Sequence, residues 1–322
     1  MAALRRFIAM RLCRLLVALC LNSGLAFGLS FGQTAPARAQ DRIRVVTTTT
    51  DLRSLTEAVG GDFVDAISLV PANFDAEEYQ PKPQDVLRLK GARLVVRVGL
   101  DYDLWFDRLL GATAARELGR GGPGYVDASW GIAPLEVRGV AVGPGDGHAH
   151  GSGNPHYWLD PKNAEFITAN ILEGLARIDP AHAKTYEANR QAFLAHLSAK
   201  LTEWEARLAP LRQLPLIAYH NSWPYFARRF RLDFADFLEI KPGVPATPSH
   251  LAGIIETMQK RGVRLVVREP QEPERDVSFV AAKAGATVVV LAAAVGALPG
   301  TGDYLSLFDT DVAALVNAAA SR

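Results

Sequence analysis

Short β-branched runs alternate with stretches of helical period along this chain. That alternation confines it to α/β architectures built on parallel sheets. Ile43 to Thr49 (IRVVTTT), Val64 to Val70 and Leu94 to Val98 (LVVRV) read as strands. Helices are expected from Asp51, as the cap, through Ala58, with Gly60-Gly61 ending the turn, and again at Pro83 to Leu89. The pattern resumes far downstream, with strands at Leu216 to Tyr219, Leu265 to Arg268 and Thr287 to Leu291 (TVVVL). Helices are expected there at His250 to Lys260 and Val277 to Ala284. Between the two α/β stretches, Asp160-Pro161 offers a cap and a first helical residue, followed by Ile167, Ile171, Leu175 and Ile178 at helical spacing. A second pair, Asp179-Pro180, opens a longer pattern. There Phe193, Leu197, Leu201, Trp204 and Leu208 recur at steps of 4, 4, 3 and 4 along one face. A helix from Pro180 to Leu208 would measure on the order of 45 Å. Pro210 and Pro215 bracket its end. The expected fold is α/β: two α/β lobes with small parallel sheets, joined by a single long helix.

The first 39 residues read as an export signal rather than as part of that fold. Arg5, Arg6, Arg11 and Arg14 precede the apolar run Leu15 to Leu21, and Ala37-Arg38-Ala39 fits a cleavage site before Gln40. Asn22, Ser23 and Gly24 break the apolar run, which argues against a retained membrane span. A lipoprotein cleavage at Cys20 is the alternative, although Leu19 fits that position poorly. The expected division is a signal peptide at 1–39, an N-terminal lobe at 40–178, the linking helix at 179–209 and a C-terminal lobe at 210–322. Both cysteines, Cys13 and Cys20, lie in the leader, so the exported chain has no thiol for a disulfide, a nucleophile or a metal. The leader also carries five of the 35 lysines and arginines and no acid. That leaves 30 basic residues against 34 acidic ones, a net charge of −4. A mildly acidic exported protein suits cations and gives no argument for nucleic acid.

Potential ligands fall where strands give way to loops, the place open α/β sheets reserve for binding. Glu77 lies in the loop FDAEEYQPKP, His156 precedes a helix start, His220 follows the strand LIAY, and Glu269 follows the strand RLVVR. Taken singly, each also fits a packing or solvated role. HExxH, a P-loop, GxSxG, paired CxxC and a dinucleotide fingerprint are all absent, so the sequence carries no enzyme signature.

The order of segments is more specific than any one residue. "NPHYWLDPKNAEFITANI" and "IAYHNSWPYFARRFRL" carry the strongest signal, supported by "SLVPANFDAEEYQPKPQDV" and "PATPSHLAGIIETMQKRGVRLVVREPQ". The chain resembles, across nearly all of its exported part, the metal-binding solute-binding proteins of bacterial ABC importers, the zinc and manganese receptors. The resemblance implies a metal cleft between two lobes bridged by a rigid helix, with two ligands from each lobe. The histidine of NPHYWLDP is His156. The position after the first strand of the second lobe is His220, and histidine there goes with zinc receptors. The first ligand is usually a histidine in DPHxYxP; here Asp75 to Pro81 place Glu77 at that point. The fourth is usually an aspartate after the last strand, where this chain reads Leu291-Ala292-Ala293-Ala294-Val295. Glu269 is the first substitute considered, and Asp303 a weaker one.

The resemblance therefore implies metal ligands Glu77, His156, His220 and Glu269, with zinc as transported cargo and Mn(II) or Fe(II) as rivals. Two imidazoles and a carboxylate suit zinc with a water in the fourth place; a second carboxylate shifts the site toward the harder ions. Two carboxylates in one metal-free cleft would also raise the pKa of one of them. Asp146, His148 and His150 read as a vestige of a mobile capture loop, or as a plain polar loop. His182, His196 and His250 read as surface or capping residues. The expected partner is an ABC permease, with a metallochaperone optional, and the receptor is expected to be a periplasmic monomer and not an enzyme. Rival readings are a metal-dependent hydrolase on an open three-ligand site and an adhesin-like partner protein.

Overall fold

The computed structural model describes residues 42–113, 115–136, 151–240 and 243–321. Strands β1 (Ile43–Thr47), β2 (Val64–Ser68), β3 (Leu94–Arg97) and β4 (Tyr125–Asp127) form one sheet in the order β2-β1-β3-β4. All its pairings are parallel, with Ile43 opposite Val64, Val45 opposite Leu94 and Val95 opposite Tyr125. Strands β5 (Pro215–Ala218), β6 (Asp233–Phe237), β7 (Leu265–Arg268) and β8 (Thr287–Val290) repeat the arrangement as β6-β5-β7-β8, again parallel. The central strands read as unbroken apolar runs because helices cover both faces. Val45, Val46, Val95, Val96, Leu216, Ile217, Val266 and Val267 are all fully buried.

In the first half, α1 (Thr50–Gly60), α2 (Pro83–Arg88) and α3 (Trp105–Gly111) connect the strands. α4 (Ala164–Ile178) and α5 (Ala183–Leu208) lie between the two sheets in sequence, and α6 (Pro224–Phe230), α7 (Pro248–Arg261) and α8 (Glu274–Ala284) cross the second sheet. α9 (Tyr304–Ala320) ends the described chain. α5 has 26 residues, about 39 Å of helix. Pro180–His182 form a separate 3-10 turn before it. Leu197, Trp204 and Leu208 on its expected face are fully buried, while Phe193 and Leu201 are half-buried against the same core. That face packs on α1, α4 and α9. Trp204 Nε1 donates to Asp309 at 2.8 Å and its ring packs on Phe308, which ties α9 to the long helix.

One apolar core joins the first sheet, the inner face of the second sheet and the helices between them. A second core lies under α7 and α8, built on Ile217, Leu238, Ile254, Met258, Val266 and Val280.

Five elements were not expected from the sequence: β4, β6, α3, α6 and α9. β4 has three residues, too few for a period. β6 reads DFADF, half-buried throughout, so its pattern is diluted by Asp233 and Asp236. α1 also starts differently from expectation. Thr49 is its cap, accepting from the Leu52 N–H, and Asp51 lies inside the first turn with its side chain turned elsewhere.

Candidate metal centre

The loop after β2 carries Glu77. Asp75 Oδ1 accepts the Glu77 N–H at 2.8 Å, an Asx turn that sets the loop's direction. Trp105 Nε1 donates to the Ala76 carbonyl at 3.0 Å, and the Tyr79 hydroxyl donates to Asp85 at 2.8 Å, so the loop is pinned on both sides of Glu77. The Glu77 side chain is 1% exposed.

His156 stands beyond β4, just ahead of α4. Asn154 Oδ1 accepts the His156 backbone N–H at 3.0 Å and lies 3.1 Å from ring Nδ1. An amide oxygen can only accept, so Nδ1 carries a proton and Nε2 is the ring nitrogen turned away from this anchor. That Nε2 lies 3.4 Å from Glu77 Oε1. Tyr102 and Trp158 pack against the ring at centroid distances of 5.5 and 5.2 Å.

His220 follows β5. Its Nδ1 lies 2.5 Å from Glu239 Oε2, so this ring too turns Nε2 away from its anchor. Its ring centroid is 5.4 Å from that of His156. Ligand atoms of Glu77, His156 and His220 all lie within 4.8 Å of one another. Burial opposes charge on His220, but the bond to Glu239 and the carboxylates of Glu77 and Glu269 outweigh it, raising the imidazole to about 10.

Glu269 lies at the end of β7 in the same cavity, 6% exposed, but outside that three-residue cluster. Its two oxygens accept from Ser222 Oγ at 2.5 Å and Gln271 Nε2 at 2.6 Å. Its pKa is raised, the direction expected for one of two carboxylates sharing a metal-free cleft. The main cause is burial, and repulsion from Glu77 is a smaller contribution. Burial also pushes the Asp75 carboxyl up to about 7, with Glu77 adding to it.

The two most specific sequence motifs meet here. Asn154 Nδ2 donates to the Asn221 carbonyl at 2.9 Å, and the Tyr225 hydroxyl donates to the Asn154 carbonyl at 2.8 Å. Arg229 forms a double hydrogen bond to Asp160 at 2.7 and 3.1 Å. NPHYWLDP and HNSWPYFARR thus hold each other, and each delivers one imidazole. The enclosing cavity measures about 310 Å³ and is lined from both sheets.

Asp303 is not part of this cavity: it caps α9, accepting from the Leu305 and Ser306 N–H groups at 2.9 Å. Asp146, His148 and His150 lie outside the described residues. His182 stacks on Phe63, His196 is exposed on α5, and a His250 ring nitrogen lies 3.0 Å from the Phe237 carbonyl. Sequence reasoning missed Glu239, because it follows β6, a strand the sequence did not reveal. The residue pattern around Asp75, an Asp two positions before Glu77, was a usable signal for the turn.

Residues 45–318 match the family described as "ZnuA: Zinc-uptake complex component A periplasmic". Among curated proteins, the iron-binding protein YfeA of Yersinia pestis is 26% identical over 267 residues, covering 82% of this chain and 81% of its own. The manganese ABC transporter substrate-binding lipoprotein PsaA of Streptococcus pneumoniae is 28% identical over 273 residues, covering 81% and 84%. The crystal structure of ZnuA superposes with a TM-score of 0.73 at 29% identity, covering 86% of this chain and 99% of that one. The match over residues 45–318, on the same pair of four-stranded parallel sheets, makes this protein a member of the periplasmic zinc-uptake component family, the substrate-binding proteins of metal ABC importers.

Proposed function

We propose that the cleft captures a divalent transition metal, zinc first, through Glu77, His156 and His220, and yields it to an ABC permease. The observation that carries this is the convergence of three ligand atoms within 4.8 Å from loops after β2, β4 and β5. Both imidazoles are anchored through Nδ1, by Asn154 and by Glu239, so Nε2 is the atom each ring can offer an ion. Two nitrogens and one carboxylate oxygen suit a four-coordinate zinc with one place left over. We place Glu269 as a buried acidic neighbour, since Ser222 and Gln271 already hold its oxygens. No chemical step is assigned to the site; binding and release are the function.

We take 40–178 and 210–322 as the two lobes and 179–209 as the bridge, because each set of described strands pairs within itself. Capture takes place outside the cytoplasm, by a monomer. Export by the leader, or a lipid anchor of the kind that PsaA's name carries, serves equally well. A second cargo reading has its own support: YfeA is named for iron and PsaA for manganese, and carboxylates crowd this cleft.

Native mass spectrometry with elemental analysis, on protein purified from its own compartment, tests the assignment. One zinc per chain is expected, lost in Glu77→Ala and His220→Ala and kept in Glu269→Ala. Iron or manganese in the wild type would replace zinc as the cargo. No stoichiometric metal under any condition would overturn the receptor reading.

A further inference from the structure

A further buried acid, besides Glu77 and Glu269, stands on the cleft wall. Asp51, in the first turn of α1, is 1% exposed and lines the same cavity as His156, Trp158, Ala293 and Ala294. Its Oδ1 accepts the Val295 N–H at 3.0 Å. Its Oδ2 is buried without a hydrogen-bond partner among the described residues. Leaving a buried carboxylate oxygen unmatched is costly, and such atoms in a folded protein call for an explanation. Burial raises this carboxyl to about 7, so the fold carries the charged form at a cost near neutral pH.

The turn that Asp51 holds runs from Leu291 to Val295. Ala293 and Ala294 give this stretch of the cleft wall methyl groups and no donor side chain. An acid therefore stands at a turn that has none of its own, delivered by α1 from the other sheet. Charge gives it a purpose. A divalent ion bound by Glu77 and two neutral imidazoles carries one positive charge beyond what its own ligands neutralise, and a charge unpaired by its neighbours is expensive in a buried site. The other buried or half-buried acids of the wall already have oxygens engaged. Glu269 holds Ser222 and Gln271, Glu239 holds His220, Asp75 holds the Glu77 N–H, and Glu272 accepts the Glu269 N–H.

Resting on the metal-receptor reading above, we propose that Asp51 is the second acid of the metal site. It stands outside the three-donor cluster. Its Oδ2 acts through a water on the ion's fourth coordination place, accepting that water's hydrogen bond and supplying the second negative charge. It is a positioning residue, and outer-shell partners of this kind typically change metal affinity by about 10–100-fold.

Asp51→Asn tests this, because the amide keeps an oxygen for the Val295 N–H and loses only the charge. Zinc affinity would be measured at pH 7.5 by competition with a chromophoric chelator, beside thermal melts of the metal-free protein. The expected result is a loss of affinity of about 10–100-fold, with a metal-free melting temperature at or above wild type. Adding Ala293→Asp to Asp51→Asn puts an acid on the turn itself and should recover most of the loss. Wild-type affinity in Asp51→Asn overturns the inference. So does a loss that follows a fall in the metal-free melting temperature and is not recovered by Ala293→Asp, since that marks a structural role. If the wild type itself takes up no stoichiometric zinc, iron or manganese, the receptor reading fails and takes this inference with it.

Discussion

Glu239 lies 2.5 Å from His220 Nδ1, and that contact sets the state in which an ion meets the ring. With its pKa raised to about 10, the metal-free imidazole is charged at neutral pH. An ion must then displace the Nε2 proton, so binding releases a proton and strengthens as pH rises. Apparent zinc affinity is expected to climb up to about tenfold per pH unit between pH 6 and 8.5. Glu239→Gln keeps an acceptor at Nδ1 but removes the charge, so its pH dependence should be visibly shallower. Equal slopes for the two proteins, read from chelator competition across that range, would disprove the role given to Glu239. His156 and His220 were legible from their motifs, because Pro and aromatic neighbours make those segments distinctive. Glu239 and Asp51 were not, since each is an ordinary acid until packing brings it to the cleft.

Helix α4 shows what packing demands at the scale of an element. Gly174 faces the first sheet, and a Cβ there would stand 2.3 Å from Val126 Cγ2 and 3.3 Å from Leu94 Cδ1. Gly174→Ala should therefore destabilise by about 1–3 kcal/mol, because overpacking outweighs the better helix propensity of alanine. Gly253 on α7 has no atom within 4 Å of its would-be Cβ. Gly253→Ala should instead stabilise, by up to about 1 kcal/mol. Urea midpoints measured side by side decide both, and a stabilised Gly174→Ala would refute the packing assigned to α4. Most elements were visible in advance for the same local reasons. The buried parallel strands read as β-branched runs, and the 4, 4, 3, 4 steps marked the buried face of α5. β6 and α9 escaped, the first because its period is diluted by acids, the second because Asp303 was weighed as a ligand and not as a cap.

Across the whole molecule, burial raises the pKa of a set of acids in the metal-free protein. Asp51 and Asp75 are both pushed up to about 7, and burial raises Glu269, Glu272 and Asp311 as well. For a carboxyl raised in the folded state, protonation favours the fold. The benefit is full below the ordinary carboxylate pKa near 4 and fades as pH rises through about 7. His220 is also raised, and its contribution, full below about 6.5, fades in the same direction as pH rises toward about 10. The metal-free protein should therefore melt at a higher temperature at pH 5 than at pH 8. A bound divalent ion answers the same charges, so saturating zinc should raise the melting temperature more at pH 8 than at pH 5. Calorimetry at the two pH values, with and without zinc, gives the four numbers needed. A metal-free protein more stable at pH 8 would show that these acids do not control its stability.

Sequence alone determined the α/β class, the long helix and the candidacy of Glu77, His156 and His220, because strand composition, helical period and motif identity are local properties. Tertiary structure decided which acids share the cleft and what each one holds. Glu77 and His220 are far apart in the chain, and Asp51 reaches a turn 244 residues away. Burial, hydrogen-bond partnership and charge compensation are properties of the assembled cleft, and no single segment of the sequence contains them.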